Sequence, residues 1–412
     1  MTVLPSTPFL GWDAVELANP LLCAAVVPDI GGRLLQLWLG DHPFLFVNRR
    51  LHGKLFSPEE NRGDGTIASW KNYGGNKTWP APQGWDGPHQ WAGPPDPVLD
   101  SGRFTVTASE PGRVVVQSPP DPRSGLQITR QVTLDPLAAR LSLAREMRNV
   151  SDRPVRWSLW DVTQLACGQI DEAGRDDVRP GCRMYVPLSV SGEGYSVLYG
   201  PEDSPQFSLA EPGLLVVDYA AALGKIGADD RAGWVAFADA DGDGDGDWVL
   251  AHQFAYHEGL EYPDGGVSVE VWTHGPGVAS GVDFSAPHLR DFFMEMEVLG
   301  PLVSLAPGAS ARETITWGAC RCPAPIREVT RAGCVSDPLT VDQSPAQGVF
   351  GVFAPGQARL RDEAGTLLAS LAATPLVPLR LDVPVPPDPR RLELVSVDAT
   401  GADRGIVASW TA

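Results

Sequence analysis

Positive charge is scarce in this chain of 412 residues. Lys and Arg number 32 against 51 Asp and Glu, a formal charge of −19. Such a surface repels phosphate backbones and anionic lipid, so neither nucleic acid nor a membrane is an expected partner. No apolar run approaches the roughly 18 residues that a membrane-spanning helix needs. The opening MTVLPSTPFLGWDAVEL has no basic n-region and no h-region, so no secretory signal is expected. Cysteine is confined to positions 23, 167, 182, 320, 322 and 334, without a CxxC pair. No histidine follows Cys320, Cys322 and Cys334 at zinc-finger spacing. Buried free thiols in a reducing, cytoplasmic compartment are the expected reading, ahead of a partial metal site. Long amphipathic helices, a Gly-x-Ser-x-Gly elbow, a phosphate loop and a dinucleotide fingerprint are all missing, and no cofactor is expected.

What the chain does have is turn formers and alternation. With 39 prolines and 44 glycines, turns should be frequent, which favours β architecture. Apolar and polar residues alternate in short runs up to about residue 320, as in RLLQLWL, GLQITRQVTLD, VRWSLWDVTQLA and FFMEMEV. An all-β fold of two large packed sheets follows. Residues 1–322 are read as one unit carrying the site and 323–347 as a linker. Residues 348–412 are read as a small accessory β-sandwich of immunoglobulin-like type.

The densest chemistry lies in NYGGNKTWPAPQGWDGPHQW, residues 72–91. Asn72, Asn76, Gln83 and Gln90 are amides that donate and accept; Lys77 is a point charge and His89 titrates near neutrality. Tyr73, Trp79, Trp85 and Trp91 offer flat faces. Gly74 and Gly75 let the backbone bend. Pro80 and Pro82 argue against a helix or a central strand, so a rigid loop is expected. Aromatic faces beside amides suit a sugar ring, with its C–H face and hydroxyl rim. Capping of a β-core by the tryptophans is the competing reading.

Further along, Glu295 and Glu297 lie two apart on one strand and share a face, with Met294, Met296 and Val298 turned to the core. Two carboxylates in one cleft raise at least one pKa and make a general base; a solvated sheet face is the alternative. Glu270 on VSVEVWT, Asp161 between tryptophans, and His257 in HEGLEYPDGG are further candidates. Asp239, Asp241 and Asp243 imitate the first half of a calcium loop. The twelfth-position glutamate is missing, and a flexible hairpin tip is the alternative.

PDIGGRLLQLWLGDHPFLFVN at 28–48, YGGNKTWPAPQ at 73–83, WSLWDVTQ at 157–164, YPDGGVSVEVWT at 262–273 and MEMEVLGPLVSLAPGA at 294–309 together resemble the galactose mutarotase-like, or aldose 1-epimerase-like, superfamily. The nearest likeness is to a bacterial domain-of-unknown-function branch. The resemblance covers roughly residues 10–320 and implies a β-supersandwich with one sugar-binding cleft. It implies a glutamate base, Glu297 or Glu295 by strand order, that deprotonates an anomeric hydroxyl, and a histidine that protonates the ring oxygen. The Asn-x-Thr-x-His strand motif is replaced by WSLWDVTQ, with Asp161 or Gln164 in its place; His257, His252 and His274 are the other sources of a proton donor. Arg33, Asn72, Tyr73, Lys77, Trp79, Gln83 and Glu270 are expected to contact the sugar. Lys and Arg in one cleft favour an acidic sugar. The expected functions are an aldose 1-epimerase-type isomerase or, alternatively, a non-catalytic sugar-binding or sensing protein. A glycan lyase or hydrolase ranks below both.

Overall fold

A computed structural model describes residues 7–83, 91–170, 176–189, 194–240, 242, 244–279, 281–286, 289–342 and 344–412. Nearly every element is a strand. Two large antiparallel sheets dominate, one of twelve strands and one of ten, giving the all-β supersandwich. Among the described residues no helix is long and apolar enough to cross a membrane.

Seven strands of the larger sheet concern the site: β1 (Arg33–Leu39), β2 (Asn76–Ala81), β3 (Val155–Ala166), β4 (Tyr195–Tyr199), β5 (Gly224–Ala228), β6 (Val269–His274) and β7 (Phe293–Leu299). They lie side by side in the order β1-β2-β3-β7-β6-β5-β4. Their period of two sorts side chains between the faces. Val269, Val271, Met294, Met296 and Val298 enter a core shared with Leu143, Phe237 and Ile315 of the ten-stranded sheet. Glu270, Trp272, Glu295 and Glu297 therefore turn to the other face.

The space between the sheets also holds charge. Arg130 donates to the Gly32 carbonyl at 2.5 Å and to the Asn76 side chain. Asp161 accepts from Asn76 at 2.9 Å and lies 3.9 Å from Arg145. Buried charges persist only with such partners, so this cluster fixes how β2 and β3 stack on the second sheet.

Two expectations are corrected. The block 72–91 is not wholly a loop, because Asn76–Ala81 is strand β2, paired with β3 from Asn76 opposite Thr163 to Ala81 opposite Ser158. On its other side β2 meets β1 only where Asn76 opposes Leu34. Pro80 thus falls where one flank carries no ladder, which is how a sheet tolerates proline. The stretch expected to be a linker contains strands Glu328–Val329 and Gly333–Val341. Register shifts between Val335 and Thr340 break the alternation that would have announced the second of them. Residues 328–411 form two four-stranded sheets around their own core, which includes Phe350, Leu360, Leu381 and Leu394.

Candidate functional site

The outward face of the large sheet is chemically unlike its core face. Residues directly opposite each other on neighbouring strands share a face. Lys77 of β2 and Glu297 of β7 both oppose Val162 of β3, while Gln164 opposes Glu295. Glu270 opposes Glu297, and Trp272 opposes Glu295. Lys225 opposes Trp272, and Tyr199 opposes Lys225. Trp79 and Trp160 face each other across β2 and β3. One surface thus alternates acids, lysines and indoles.

This surface is the floor of a cavity of about 730 Å³, within the roughly 300–1,000 Å³ usual for small-molecule sites. Trp70, Trp272, Tyr199, Phe284 and Phe293 help to wall it, with Asn48, Asn72 and Gln83 supplying amides. Trp79 and Trp160 also line it, packed edge-to-face at 5.5 Å. The Trp79 indole N–H is buried without an acceptor among the described residues. A paired set of ring faces with an unmatched donor is suited to a flat molecule with a hydroxyl rim.

Glu295 is the best-placed carboxylate. Its Oε1 accepts from Lys77 at 3.3 Å and from Gln164 at 2.7 Å. No donor among the described residues reaches its Oε2, and Glu295 lines the cavity. Lys77 is fully buried, with its ammonium 4.6 Å from the Trp79 ring. Burial pushes the Lys77 pKa down, and the Glu295 charge opposes that shift. The second cluster is Lys225, which lies 2.6 Å from Glu270 and 3.2 Å from Glu297. Glu297 also accepts from the Trp160 indole at 2.8 Å. Burial lifts the Glu297 carboxyl well above the usual carboxylate range; Lys225 pulls it down and Glu270 lifts it further. Burial thus disfavours the charged form of Glu297, and Lys225 is what opposes that shift. Burial disfavours the Lys225 charge, but Glu270 and Glu297 outweigh that and raise its pKa.

The expected residues divide. Glu295, Glu270, Asn72, Trp79 and Gln83 line the cavity, and Lys77 stands behind Glu295. Glu297 is beneath the floor, 1% exposed, not in the wall. Arg33 is corrected from sugar contact to support: it is wholly buried, bound to Asp100 at 2.5 Å and to the Gly74 carbonyl at 2.9 Å. Asp100 in turn accepts from the Trp70 indole at 2.7 Å, so Arg33 acts on the cavity through that wall. Tyr73 is corrected likewise, since it packs into the core against Trp12. Trp91 is also core. Asp161 faces the opposite side of the sheet, toward Arg145, and is not in the cavity. His257 pairs with Glu313 at 3.1 Å, away from the cavity lining. His252 is buried in the other sheet, stacked on Trp317. Of those three histidines only His274 lines the cavity, stacked on Phe293 at 4.5 Å. Burial lowers its pKa to about 4, against the pull of Glu295. Trp85, His89, Gln90, Asp241 and Asp243 lie outside the described residues. Asp239 is consumed by Arg179 at 2.7 Å and His42 at 3.3 Å, and no group of three metal-ligating side chains occurs among the described residues.

Sequence reasoning missed Lys225 and Tyr199 as site residues. One signal was present. The chain has only four lysines, and Lys225 stands alone in the apolar strand GKIGA. An isolated lysine on a buried strand needs a carboxylate partner.

Residues 13–242 match the family described as a domain of unknown function, DUF4380, and the chain belongs to that family. No curated protein matches it. Among solved structures, a galactose mutarotase-like protein from Lactobacillus casei is 13% identical, with a TM-score of 0.44 over 74% of this chain and 99% of that one. A galactose mutarotase-like protein from Clostridium acetobutylicum is 10% identical, with a TM-score of 0.43 over 77% and 98%. The Slr1438 protein from Synechocystis is 13% identical, with a TM-score of 0.46 over 77% and 98%. These are likenesses of outline and bring no residue role to this chain.

Proposed function

We propose that the cavity binds a sugar and that Glu295 exchanges a proton with its anomeric hydroxyl, an aldose 1-epimerase type of reaction. The observation that carries this is the asymmetry of Glu295. One oxygen is fixed by Lys77 and Gln164, and the other meets no donor among the described residues in an aromatic-walled cavity. A carboxylate oriented in this way can hold a hydroxyl at one oxygen while the sugar ring lies on Trp272 or Tyr199. Loss of the anomeric proton opens the ring when the ring oxygen is protonated, and reclosure on either face exchanges the anomers.

The proton donor is then not a charged histidine, because His274 is neutral well above pH 4. The ring-oxygen proton then comes from a water entering the cavity, which regains it on reclosure. In Glu295→Gln the rate of anomer exchange, read by NMR, should fall by about 10²- to 10⁴-fold, with sugar affinity largely kept. Exchange that survives in this variant removes Glu295 from the chemistry.

One observation favours a second reading, a binding protein without turnover. The Lys77 ammonium already holds Glu295 in an ion pair at 3.3 Å, a contact that a binding role leaves intact. Sugar binding without any accelerated exchange in the unaltered protein would select that reading.

A further inference from the structure

We infer that the sugar recognised here carries a positive charge, an amino sugar with its nitrogen free, and that Asp264 receives the ammonium. This rests on the sugar-binding reading above and replaces the acidic sugar expected from the Lys and Arg content.

The cations of the cavity are already spent. Arg50 places both Asp291 oxygens at 2.6 Å from its Nη2 and also reaches the Arg290 carbonyl. Lys77 is held by Glu295, and Lys225 by Glu270 and Glu297. Among the described residues no other Lys or Arg lines the cavity. Arg33, the other cation expected to greet a carboxylate, is wholly buried on Asp100. A carboxylated or phosphorylated sugar would have to break one of these pairs to find a partner, and would leave a buried carboxylate uncompensated.

The acids outnumber these cations. Asp264, Glu270, Asp291 and Glu295 line the cavity, with Glu297 beneath. Of the lining acids only Asp264 has neither an ion pair nor a hydrogen bond within the described residues. Its backbone is unusual as well, with φ at +54°, followed by Gly265 at +85° and Gly266 at +100°. A non-glycine residue in the left-handed region costs free energy, and such residues concentrate at ligand sites. Asp264 is an exposed lining residue of the cavity, close enough to Glu270 and Lys225 for their charges to act on it. Trp272 and Tyr199, with ring centroids 5.7 Å apart, line the same cavity as Asp264, and an aromatic face attracts a cation.

The test is calorimetry on the full chain with matched trios: glucosamine, galactosamine and mannosamine, each against its N-acetyl form and its neutral parent, with glucuronate and galacturonate as acids. The expected result is one free amino sugar bound at least tenfold tighter than its parent and its N-acetyl form. The same advantage should vanish in Asp264→Asn, where the amine and its neutral parent should bind equally. Asparagine tolerates positive φ, so this variant keeps the turn. A neutral parent that binds as well as its amine, a uronate that binds better, or an amine preference that persists in Asp264→Asn overturns the inference and leaves the sugar site standing. Absence of binding by every sugar in the panel overturns both this inference and the sugar-binding reading.

Discussion

Glu297 and Glu270 stand opposite each other on adjacent strands, and Lys225 pairs with both. Burial already disfavours the Glu297 charge, so a neutral amide of the same shape should replace it at little cost. Glu297→Gln is expected to unfold within about 1 kcal/mol of the parent. Lys225→Met leaves Glu270 without its partner and should lose about 3–5 kcal/mol. Denaturant titration of both variants at pH 7 checks the contrast, and equal losses would contradict the reading that burial disfavours the Glu297 charge. His274 gives a pH signature. Its folded pKa of about 4 lies below the ordinary histidine value of 6.5, so protonation favours the unfolded chain. The stability it contributes is full above pH 6.5 and is lost as pH falls toward 4, by about 3 kcal/mol. In His274→Gln the fall in stability over that window should be shallower. An unchanged slope assigns the acid sensitivity elsewhere. At this scale the sequence disclosed residue type better than residue direction. Glu295 and Glu297 were legible from their spacing. Arg33 and Tyr73 were misplaced because nothing local says that Asp100, 67 positions away, neutralises the first, or that Trp12 packs on the second.

Among the elements, β2 does the most to bring chemistry to the cavity, delivering Lys77 and Trp79 from one face and Asn76 to the interior from the other. Its entry is set by Gly74 and Gly75, with φ of +94° and +71°. A Cβ on Gly74 would lie 2.1 Å from the Phe46 carbonyl oxygen. Gly74→Ala must therefore move β2 against its neighbour, and also disturbs the carbonyl that Arg33 binds. We expect a loss of roughly 1–3 kcal/mol, measured by thermal unfolding, together with weakened sugar binding. Full sugar affinity in this variant would show that β2 does not set the cavity wall. The strand itself was hard to read because Pro80 and Pro82 speak for a loop. Only the missing neighbour along most of one flank, a tertiary fact, makes room for a proline in it. Alternation in β3 and β7 had no such competitor, and both strands were legible with their faces.

For the whole molecule, periodicity of two made the all-β supersandwich readable, and turn residues made its strands countable. Strand order was not readable, because β7 pairs with β3 through contacts more than a hundred residues apart in sequence. Every residue lining the cavity lies between Asn48 and Glu295, so the two C-terminal sheets take no part in the wall. The most direct test of the account is a crystal structure of the chain soaked with the aldose that binds best. We predict a ring stacked on Trp272 or Tyr199, with its anomeric hydroxyl within hydrogen-bond reach of Glu295 Oε2. A sugar bound outside this cavity, or one whose anomeric carbon points away from Glu295, would contradict it.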